Sequence, residues 1–237
     1  MTEQELHLKT AEIEKKSHLE YFNIAVSVDC VIFGYDKKDL KVLLIKSDLE
    51  EFKKLNSLLG DLVRPDEDTE SASYRVLRNR TGLDDVFLEQ VQAFGSINRH
   101  PSGRVITIAY FSLIDIKHHK LKLNDNELSW HSLKEVKKLA FDHKLILDTC
   151  LGRLQQQAME APLVFNLLPD KFSLRELQEL YETILGNELD RRNFRKKISI
   201  KEWLLDIGEM ENDVPHRPGK LYTLKKQFRT KGNNVLS

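Results

Sequence analysis

The sequence has few cysteines and prolines, no net charge and no long hydrophobic run, and each absence excludes a class of protein. Its two cysteines, Cys30 and Cys150, lie far apart in apolar surroundings without the spacing of a metal site, which indicates buried thiols in a reducing compartment. With 37 Lys+Arg against 37 Asp+Glu, no global field attracts nucleic acid or a membrane. No apolar run approaches the roughly 20 residues that span a bilayer, and the N-terminus lacks a signal-peptide core. We therefore expect a cytoplasmic protein without membrane association.

The balanced charge conceals a difference between two parts of the chain. Residues 1–162 carry 23 Lys+Arg against 26 Asp+Glu, whereas residues 163–237 carry 14 against 11. Most of the late cations fall in two runs without any acid, Arg191 to Lys201 and Arg217 to Lys231. A length of 237 residues allows one or two domains. We divide the chain into an N-terminal tail (1–19), a first domain (20–140), a connector helix (141–162) and a second domain (163–237).

The segment from Gly60 to Leu83 has the pattern of a loop, a helix and a second loop. Asp68 is a suitable N-cap because its carboxylate can accept the unpaired amide protons of the first turn. Gly82 is suited to the left-handed position that ends a helix. The segment resembles the Nudix box, Gly-x5-Glu-x7-Arg-Glu-U-x-Glu-Glu-x-Gly-U, where U is aliphatic. The matching positions are Glu67, Arg75, Leu77, Gly82 and Leu83.

Three positions of the box that should be Glu are instead Val76, Asn79 and Arg80. In the Nudix family, these carboxylates hold a divalent metal against a diphosphate, and Mg²⁺ requires oxygen ligands in a near-octahedral array. Val76 offers no oxygen, Asn79 offers a neutral one, and Arg80 adds a repulsive charge. Glu67 alone cannot assemble the site that diphosphate cleavage needs. We therefore predict no catalytic residues, no metal site and no cofactor.

The residues around the box predict a strand-rich domain. Segments 22–33, 40–45 and 105–114 are β-branched or aromatic and indicate strands. Residues 86–97 suggest a strand pair, and a short strand near 127–130 precedes an expected helix near 132–138. The resemblance implies a Nudix-like α/β/α sandwich. Asp29 lies inside the first strand, and the pattern leaves open whether its side chain faces solvent or a ligand cavity.

The connector helix is expected to begin at Asp142 as its cap and to end near Met159. Its apolar side chains recur on one face, which predicts packing on one domain or against a second copy of the chain. These side chains are Leu147, Leu151, Leu154 and Ala158.

The second domain has the pattern of a helix-turn-helix followed by a β-hairpin. Ser173 and Glu176 form a capping box at the start of one helix. Asp190 caps the next, in which Phe194 and Ile198 are one turn apart and can anchor it. Its surface carries five cations, which we predict to contact DNA: Arg191, Arg192, Arg195, Lys196 and Lys197.

Segments 203–207 and 219–224 are the expected strands of a wing, joined by a loop that holds Pro215 and Arg217. Arg217 and Lys220 are predicted to contact the DNA backbone from the wing. The fold class is therefore α+β, a Nudix-like domain followed by a winged helix. The cations of the second helix could also form an ordinary solvent-exposed face. The two acid-free runs favour nucleic-acid binding instead, because an ordinary face usually carries charges of both signs.

A degenerate Nudix box followed by a winged helix resembles the Nudix-related transcriptional regulators, which include NrtR-type repressors of NAD synthesis and arabinose-responsive regulators. Further stretches that match are Arg99-x-Pro101-x-Gly103-Arg104-Val105, Phe141-Asp142-His143, Phe165-x-Leu167-Leu168-Pro169, Asp190-Arg191-x-Asn193-Phe194-Arg195 and Arg217-Pro218-x-Lys220-Leu221-Tyr222. The resemblance implies a homodimer that binds double-stranded operator DNA and senses ADP-ribose or a pentose. The lost Glu residues favour a pentose, because no diphosphate then needs a cation, whereas direct phosphate binding by Arg99, Arg104 and Arg80 would keep ADP-ribose open. We expect the effector to contact Asp29, Arg99, Arg104 and Tyr110.

Two other functions are compatible with parts of the sequence. An active Nudix hydrolase with an appended module would need the carboxylates that Val76, Asn79 and Arg80 replace. A module for RNA or protein docking would usually display exposed stacking aromatics, whereas the spacing of Phe194 assigns its ring to the core.

Overall fold

The structure is a computed structural model that describes residues 23–36, 38–47, 49–83, 86–117, 128–212 and 217–228. Three features expected from the sequence lie outside these residues: the N-terminal tail, Pro215 of the wing loop, and the cations Arg229 and Lys231. None of the helices in the described part of the chain has the length and apolarity that crossing a bilayer requires.

A seven-stranded mixed sheet forms the first domain. Its strands are β1 (Ala25–Asp36), β2 (Asp39–Lys46), β3 (Asn56–Ser57), β4 (Leu59–Leu62), β5 (Glu89–Phe94), β6 (Val105–Asp115) and β7 (Leu128–Ser132). The order is β3-β2-β1-β6-β5, with β4 paired to the first half of β1 and β7 paired to β2. β1 and β6 run parallel, from Ala25 opposite Val105 to Tyr35 opposite Asp115, and the other pairs are antiparallel. These two long strands form the centre of the sheet.

Both faces of the sheet are covered, because β1 and β6 are buried almost throughout. Successive side chains of a strand point to opposite faces. Cys30 and Ile32 accordingly pack towards α1 (Thr69–Thr81), whereas Val31 and Phe33 pack towards α2 (His143–Ala158). This arrangement confirms the expected α/β/α sandwich.

The ends of α1 follow from the residues that the sequence provides there. The Asp68 carboxylate accepts a hydrogen bond from the Ser71 backbone N–H at 2.7 Å. Gly82 adopts a left-handed conformation with φ 71° and its N–H bonds the Arg78 carbonyl. Both predicted caps are confirmed. Asp142 does occupy the N-cap position of α2, but its carboxylate makes no capping bond to that helix.

The winged-helix domain begins with a 3-10 helix at Pro162–Leu167. It continues with β8 (Phe172–Ser173), α3 (Leu174–Leu185), α4 (Arg191–Lys201), β9 (Leu204–Met210) and β10 (Lys220–Leu224). The capping box is present, with Ser173 and Glu176 bonded reciprocally, and Asp190 caps α4 through the Asn193 N–H. The sheet order is β8-β10-β9, so the wing has a short third strand that the sequence pattern did not predict.

Two expectations for the first domain were wrong. The helix expected near 132–138 does not form, because β7 continues to Ser132 and pairs with β2, after which residues 133–135 make a turn. The strand pair expected over 86–97 is one strand, β5, with an irregular register between Gln90 and Ala93. In both cases, pairing with a neighbouring strand determined the outcome rather than local propensity.

A single hydrophobic core connects the two domains through α2. One cluster of buried side chains runs from Phe33 and Phe111 of the sheet, through Leu154 of α2, to Tyr181 and Phe194 of the winged helix. Three of the four predicted stripe residues are buried here, and Leu151 is half-buried. The apolar face of α2 is therefore used within the chain itself.

This shared core predicts that replacing Leu154 destabilises both domains together. Leu154→Ala should lower the free energy of unfolding by about 2–5 kcal/mol, because it leaves a cavity in a closely packed core. Leu145→Ala is the matched control on the same helix, since Leu145 is 58% exposed, and should change stability by less than about 0.5 kcal/mol. Calorimetric unfolding should show one transition in the wild type. Two separated transitions, with only one moved by Leu154→Ala, would contradict the shared core.

Candidate functional site

A cavity of about 580 Å³ opens beside the first half of β1 and extends to the start of α2. Its walls come from β1, β4, the loop over 99–105 and residues 141–143. Asp29, Arg99 and Arg104 line it, so the structure brings together three of the four predicted ligand-binding residues. A volume of this size is typical of small-molecule sites. The cavity therefore resolves the alternatives for Asp29, which faces a cavity rather than bulk solvent.

A buried ion-pair network fixes the floor of this cavity. The Arg99 guanidinium donates Nε–H and Nη2–H to the two oxygens of Asp142, each at 2.9 Å. Its Nη2 also lies 3.4 Å from Oδ2 of Asp29. Asp29 is 5% exposed and Arg99 is 8% exposed, so solvent screens this network little. Asp142 is engaged by Arg99, which explains why it does not cap α2.

Gly60 allows β4 to approach β1 at this network. A side chain on Gly60 would collide with the Asp29 carboxylate and lie 2.7 Å from the Val28 carbonyl. Glycine is required here for the close approach of the two strands. The box pattern has its first glycine at position 61, which is Asp61 in this chain, and Gly60 lies one residue earlier. The structure thus gives Gly60 a role that the motif comparison alone did not.

His143 contacts the same carboxylate from the first turn of α2. Its Nδ1 accepts the Leu58 backbone N–H at 3.0 Å, which places the ring proton on Nε2, 3.4 Å from Oδ1 of Asp29. Burial lowers the pKa of His143 below its ordinary value, against the opposing effect of the Asp29 carboxylate. The neutral imidazole is therefore the form that fits this site.

An aromatic group forms another wall of the cavity. The rings of Phe141 and His100 stack with centroids 5.0 Å apart and planes at 10°. Phe52 packs on Phe141 with centroids 4.6 Å apart. Phe141 adopts a left-handed conformation with φ 51°, which costs on the order of 1 kcal/mol for a residue with a side chain. This conformation places its ring at the cavity immediately before α2 begins.

Tyr110 does not line the cavity, contrary to its predicted role. Tyr110 pairs with Cys30, and Ala109 pairs with Asp29, so Tyr110 and Asp29 point to opposite faces of the sheet. Its hydroxyl bonds Thr69 of α1 at 2.9 Å and Gln90 at 3.0 Å. The aromatic side chains that line the cavity are instead Phe141, His100 and His143.

Arg104 lines the cavity while its guanidinium is bonded to the backbone. Its Nη1 donates to the carbonyls of Gly95 at 2.7 Å and Ser96 at 3.0 Å. Arg104 therefore joins the loop before β6 to the end of β5, and it presents a cation to the cavity from a fixed position. Arg99, in contrast, directs its Nε–H and Nη2–H groups to the carboxylates of Asp142 and Asp29, and so orients both acids.

The retained residues of the Nudix box form a clamp that holds β4. Arg75 donates Nη2–H to Oε1 of Glu67 at 2.6 Å and Nη1–H to Oδ2 of Asp61 at 2.7 Å. It also bonds the Leu62 carbonyl at 2.9 Å. The hydrogen bonds from Arg75 lower the pKa of Glu67 to about 2. Glu67 and Arg75 therefore have structural partners in this chain.

The side chains present do not fit the divalent metal that the Nudix fold implies. Val76 is 3% exposed and belongs to the apolar cluster between α1 and the sheet. Asn79 and Arg80 line a smaller cavity beside it and supply no carboxylate. Within the described ranges, no group of three or more His, Cys, Asp or Glu residues could hold a metal ion. No metal-dependent step is therefore assigned to this site.

The basic helix α4 presents its cations to solvent. Phe194 and Ile198 are 2% exposed and anchor the helix against Tyr181 and its neighbours. The five predicted DNA contacts on this helix are all exposed: Arg191, Arg192, Arg195, Lys196 and Lys197. Helical spacing thus separates an apolar anchor from a continuous basic surface.

The wing differs from its predicted charge, because β9 brings carboxylates beside the cations of β10. The Lys220 ammonium pairs with Oδ2 of Asp206 at 2.8 Å, and this contact lowers the pKa of Asp206. Lys171 pairs with Glu209 on the same strand at 2.7 Å. Arg217 is exposed at the base of the wing loop. An acid-free run in sequence is therefore not an acid-free surface in the fold.

Two family models match successive parts of the chain. Residues 23–150 match the NUDIX domain, and residues 164–224 match the NrtR DNA-binding winged helix domain. The chain belongs to the NrtR family. Its relatives include the ADPR responsive transcriptional repressor NtrR of Acinetobacter baylyi, which is 32% identical over 213 residues that cover 88% of this chain and 85% of the relative.

Two further similarities concern the separate parts of this NrtR-family chain. An ADP-ribose pyrophosphatase of Methanocaldococcus jannaschii is 34% identical over 134 residues, which cover 56% of this chain and 76% of that protein. A crystal structure of Shewanella oneidensis NrtR complexed with a 27mer DNA has a TM-score of 0.76 at 29% identity, covering 84% of this chain and 93% of that chain. The second similarity extends through both domains of the fold.

Sequence reasoning did not assign Phe141, His100 or His143 to the site. Phe141 and His143 belong to a stretch that supported the family resemblance, and that stretch was the available signal. His100 carried no periodic or motif signal, because its role depends on a loop conformation that places its ring on Phe141. The NrtR-family resemblance therefore indicated where part of the pocket lies without indicating its chemistry.

The buried neutral state of His143 predicts a stability that falls in mild acid. Below the ordinary histidine pKa of about 6.5, the unfolded chain binds a proton that the folded chain resists. Stability is therefore fully present above about pH 6.5 and is lost as the pH falls towards the folded pKa. Urea unfolding at pH 7.5 and 5.5 should show that His143→Gln loses less free energy of unfolding between the two pH values than the wild type. The Gln amide oxygen can still accept the Leu58 N–H. An equal loss in both proteins would contradict this role.

Proposed function

We propose that this protein is a transcriptional repressor that binds operator DNA through its winged helix and is controlled by ADP-ribose in the Nudix-domain cavity. The observation that carries the proposal is the separation on α4, where five cations are exposed while Phe194 and Ile198 anchor the helix. The NrtR of Shewanella oneidensis, crystallised with a 27mer DNA, matches this chain across both domains. The Acinetobacter baylyi relative is named as an ADPR responsive repressor.

ADP-ribose is favoured over a pentose by the chemistry of the cavity. Its volume of about 580 Å³ would be largely unfilled by a single sugar ring. Phe141 and His100 form an aromatic wall against which a purine can pack, and Arg104 and Arg80 line the same cavity as donors for phosphate oxygens. Both of the relatives described above are named for ADP-ribose, one as a repressor that responds to it and one as a pyrophosphatase.

DNA recognition by this fold requires more than one copy of the domain. A single winged helix makes few base contacts, which is too little for a selective genomic site. A two-fold dimer doubles these contacts and requires a palindromic operator, with half-sites about 34 Å, or a small multiple of this distance, apart. We propose that the helix α4 of each subunit enters the major groove, while Arg217 and Lys220 contact the DNA backbone. Lys220 must exchange its Asp206 partner for phosphate.

Helix α2 provides a physical route from the cavity to the winged helix. Asp142 and His143 belong to the cavity network at its N-terminal end. Near its other end, the Gln155 amide bonds the Ile184 carbonyl of α3 at 2.8 Å. A ligand that draws Asp29 or Arg104 towards its own hydroxyl and phosphate groups would change the contacts of Arg99. Because Arg99 is bonded to Asp142, the start of α2 would then move. We propose that this displacement alters the spacing of the two α4 helices in a dimer.

The ADP-ribose pyrophosphatase relative supports a second candidate, hydrolysis of the bound effector. The sequence of this chain opposes it, because the required carboxylates are replaced by Val76, Asn79 and Arg80. Glu67, the remaining carboxylate of the box, is occupied by Arg75. We therefore propose that the domain binds ADP-ribose without cleaving it.

The proposed DNA interface predicts a salt-dependent and α4-dependent affinity. Sequencing the genomic DNA that co-purifies with the protein supplies the operator for fluorescence anisotropy. Combined Arg192→Ala and Arg195→Ala should reduce discrimination against a scrambled duplex by about 1–3 kcal/mol for each arginine that pairs with a base through two hydrogen bonds. Arg217→Ala should instead flatten the salt dependence by roughly 0.9 in log–log slope without changing the preferred sequence.

The control for the double variant is Lys137→Ala with Lys138→Ala, which removes the same charge from exposed residues outside the winged helix. It should leave operator selectivity unchanged. Tight, selective binding by the Arg192, Arg195 variant would show that α4 is not the recognition helix. A wild-type protein without salt-dependent DNA binding would overturn the proposed function.

The effector proposal predicts that ADP-ribose causes the protein to release the operator and that the protein does not cleave ADP-ribose. Its addition should weaken operator binding by roughly 5- to 150-fold, the usual range of allosteric coupling, whereas arabinose and xylose should have no effect. Phe141→Ala should weaken ADP-ribose binding by about 1–3 kcal/mol because the stacking surface is removed, and Tyr110→Phe, outside the cavity, should not. Turnover above background with Mg²⁺ or Mn²⁺ that Glu67→Ala abolishes would show instead that the domain is a working hydrolase.

A further inference from the structure

A second cavity adjoins the first at the position where the Nudix box has lost its carboxylates. It measures about 240 Å³ and shares Gly60, Asp61 and Arg80 with the walls of the larger cavity. Its lining consists of Gly60, Asp61, Arg64, Arg75, Val76, Asn79 and Arg80. Three guanidinium groups therefore face a small space that contains one carboxylate.

The charges in this second cavity are not equivalent. Arg75 is engaged by Glu67 at 2.6 Å and by Asp61 at 2.7 Å, so the acids nearest the cavity are already neutralised. The other two cations of the lining are Arg64, on the loop before α1, and Arg80, in the last turn of α1. They approach the cavity from opposite ends of the box, with the apolar side chain of Val76 between them in sequence. Three arginines against Asp61 and the neighbouring Glu67 leave a positive formal charge around the cavity.

A cavity lined by several arginines is suited to a polyanion. Guanidinium groups donate paired N–H bonds that match the oxygens of a phosphate group, and they need no counterion to do so. A divalent cation would be repelled by Arg64 and Arg80 and would find no carboxylate at positions 76, 79 or 80. The two cavities share Gly60, Asp61 and Arg80 in their walls, so a ligand in the larger cavity can also contact Arg80.

We propose that Arg64 and Arg80 bind the diphosphate of ADP-ribose directly, in place of a metal ion. This inference rests on the proposed function and specifies how its effector is held. Replacement of the carboxylates then has two consequences. The metal ion that activates cleavage is no longer held, and Arg64 and Arg80 keep the diphosphate bound in its absence. Effector sensing becomes independent of Mg²⁺.

The first test needs no variant. Calorimetric titration of the full-length protein with ADP-ribose, in EDTA and then in Mg²⁺, should give dissociation constants that agree within about twofold. Arg80→Gln should weaken ADP-ribose binding about tenfold, the loss expected for one charge-assisted hydrogen bond. Adenosine, which lacks phosphates, should bind the variant and the wild type alike.

Arg78→Gln is the matched control, because Arg78 is exposed on the same helix and does not line either cavity. It should change ADP-ribose affinity by less than about twofold. A further variant, Asn79→Glu with Arg80→Glu, returns two carboxylates to the box. It should bind ADP-ribose poorly in EDTA and regain affinity when Mg²⁺ or Mn²⁺ is added, provided that its unfolding temperature matches the wild type.

The outcomes separate the inference from the function on which it rests. Wild-type binding that disappears in EDTA would overturn the arginine site while leaving ADP-ribose as the effector. Equal weakening of adenosine and ADP-ribose by Arg80→Gln would also overturn it, because the defect would then not concern the phosphates. If the wild type binds no ADP-ribose under either condition, the proposed function fails and the inference fails with it.

Discussion

The buried guanidinium of Arg99 is the interaction on which the cavity depends. It joins Asp29 in the central strand to Asp142 at the start of α2, and both carboxylates would be uncompensated without it. Breaking such a buried pair by removing one partner typically costs about 3–5 kcal/mol. The network therefore fixes three separate segments of the chain at one point. It also explains why α2 begins without a side-chain cap: the carboxylate at that position neutralises Arg99 instead.

The Nudix box of this chain retains the residues that have structural partners and lacks those that would bind metal. Arg75 and Glu67 hold β4 against the loop before α1. Leu77 is fully buried, and Gly82 adopts the left-handed conformation that ends α1. Val76, Asn79 and Arg80 have no carboxylate to offer. The box thus preserves the position of the helix beside the cavity, while Val76, Asn79 and Arg80 stand where its pattern has carboxylates.

The continuous core through α2 gives the two domains a common stability. Leu154 and Ala158 of α2 lie in the same cluster as Tyr181 and Phe194 of the winged helix. The Lys38 ammonium, beside the turn between β1 and β2, also pairs with Glu179 of α3 at 2.8 Å. A change at the cavity end of α2 therefore acts on a rigid element that both domains contact. Packed cores respond to such changes as units rather than by continuous deformation.

The sequence by itself determined most of the helices and strands, and it showed which carboxylates of the Nudix box pattern are absent. Helix caps at Asp68, Ser173 and Asp190 depend on residues a few positions apart, and missing carboxylates at 76, 79 and 80 are visible without any structure. Local spacing is sufficient for both. It was also sufficient to place Phe194 and Ile198 inside and the cations of α4 outside.

Only the tertiary structure decided which side chains meet. Tyr110 and Asp29 were both expected at one site in the fold, but the register of β6 against β1 places them on opposite faces of the sheet. Asp142 is a residue type that often caps helices, but its carboxylate accepts hydrogen bonds from the buried Arg99, 43 positions earlier in the chain. Lys220 lies in an acid-free run, yet strand pairing sets Asp206 beside it. Each of these outcomes depends on contacts between distant segments, which no local pattern encodes.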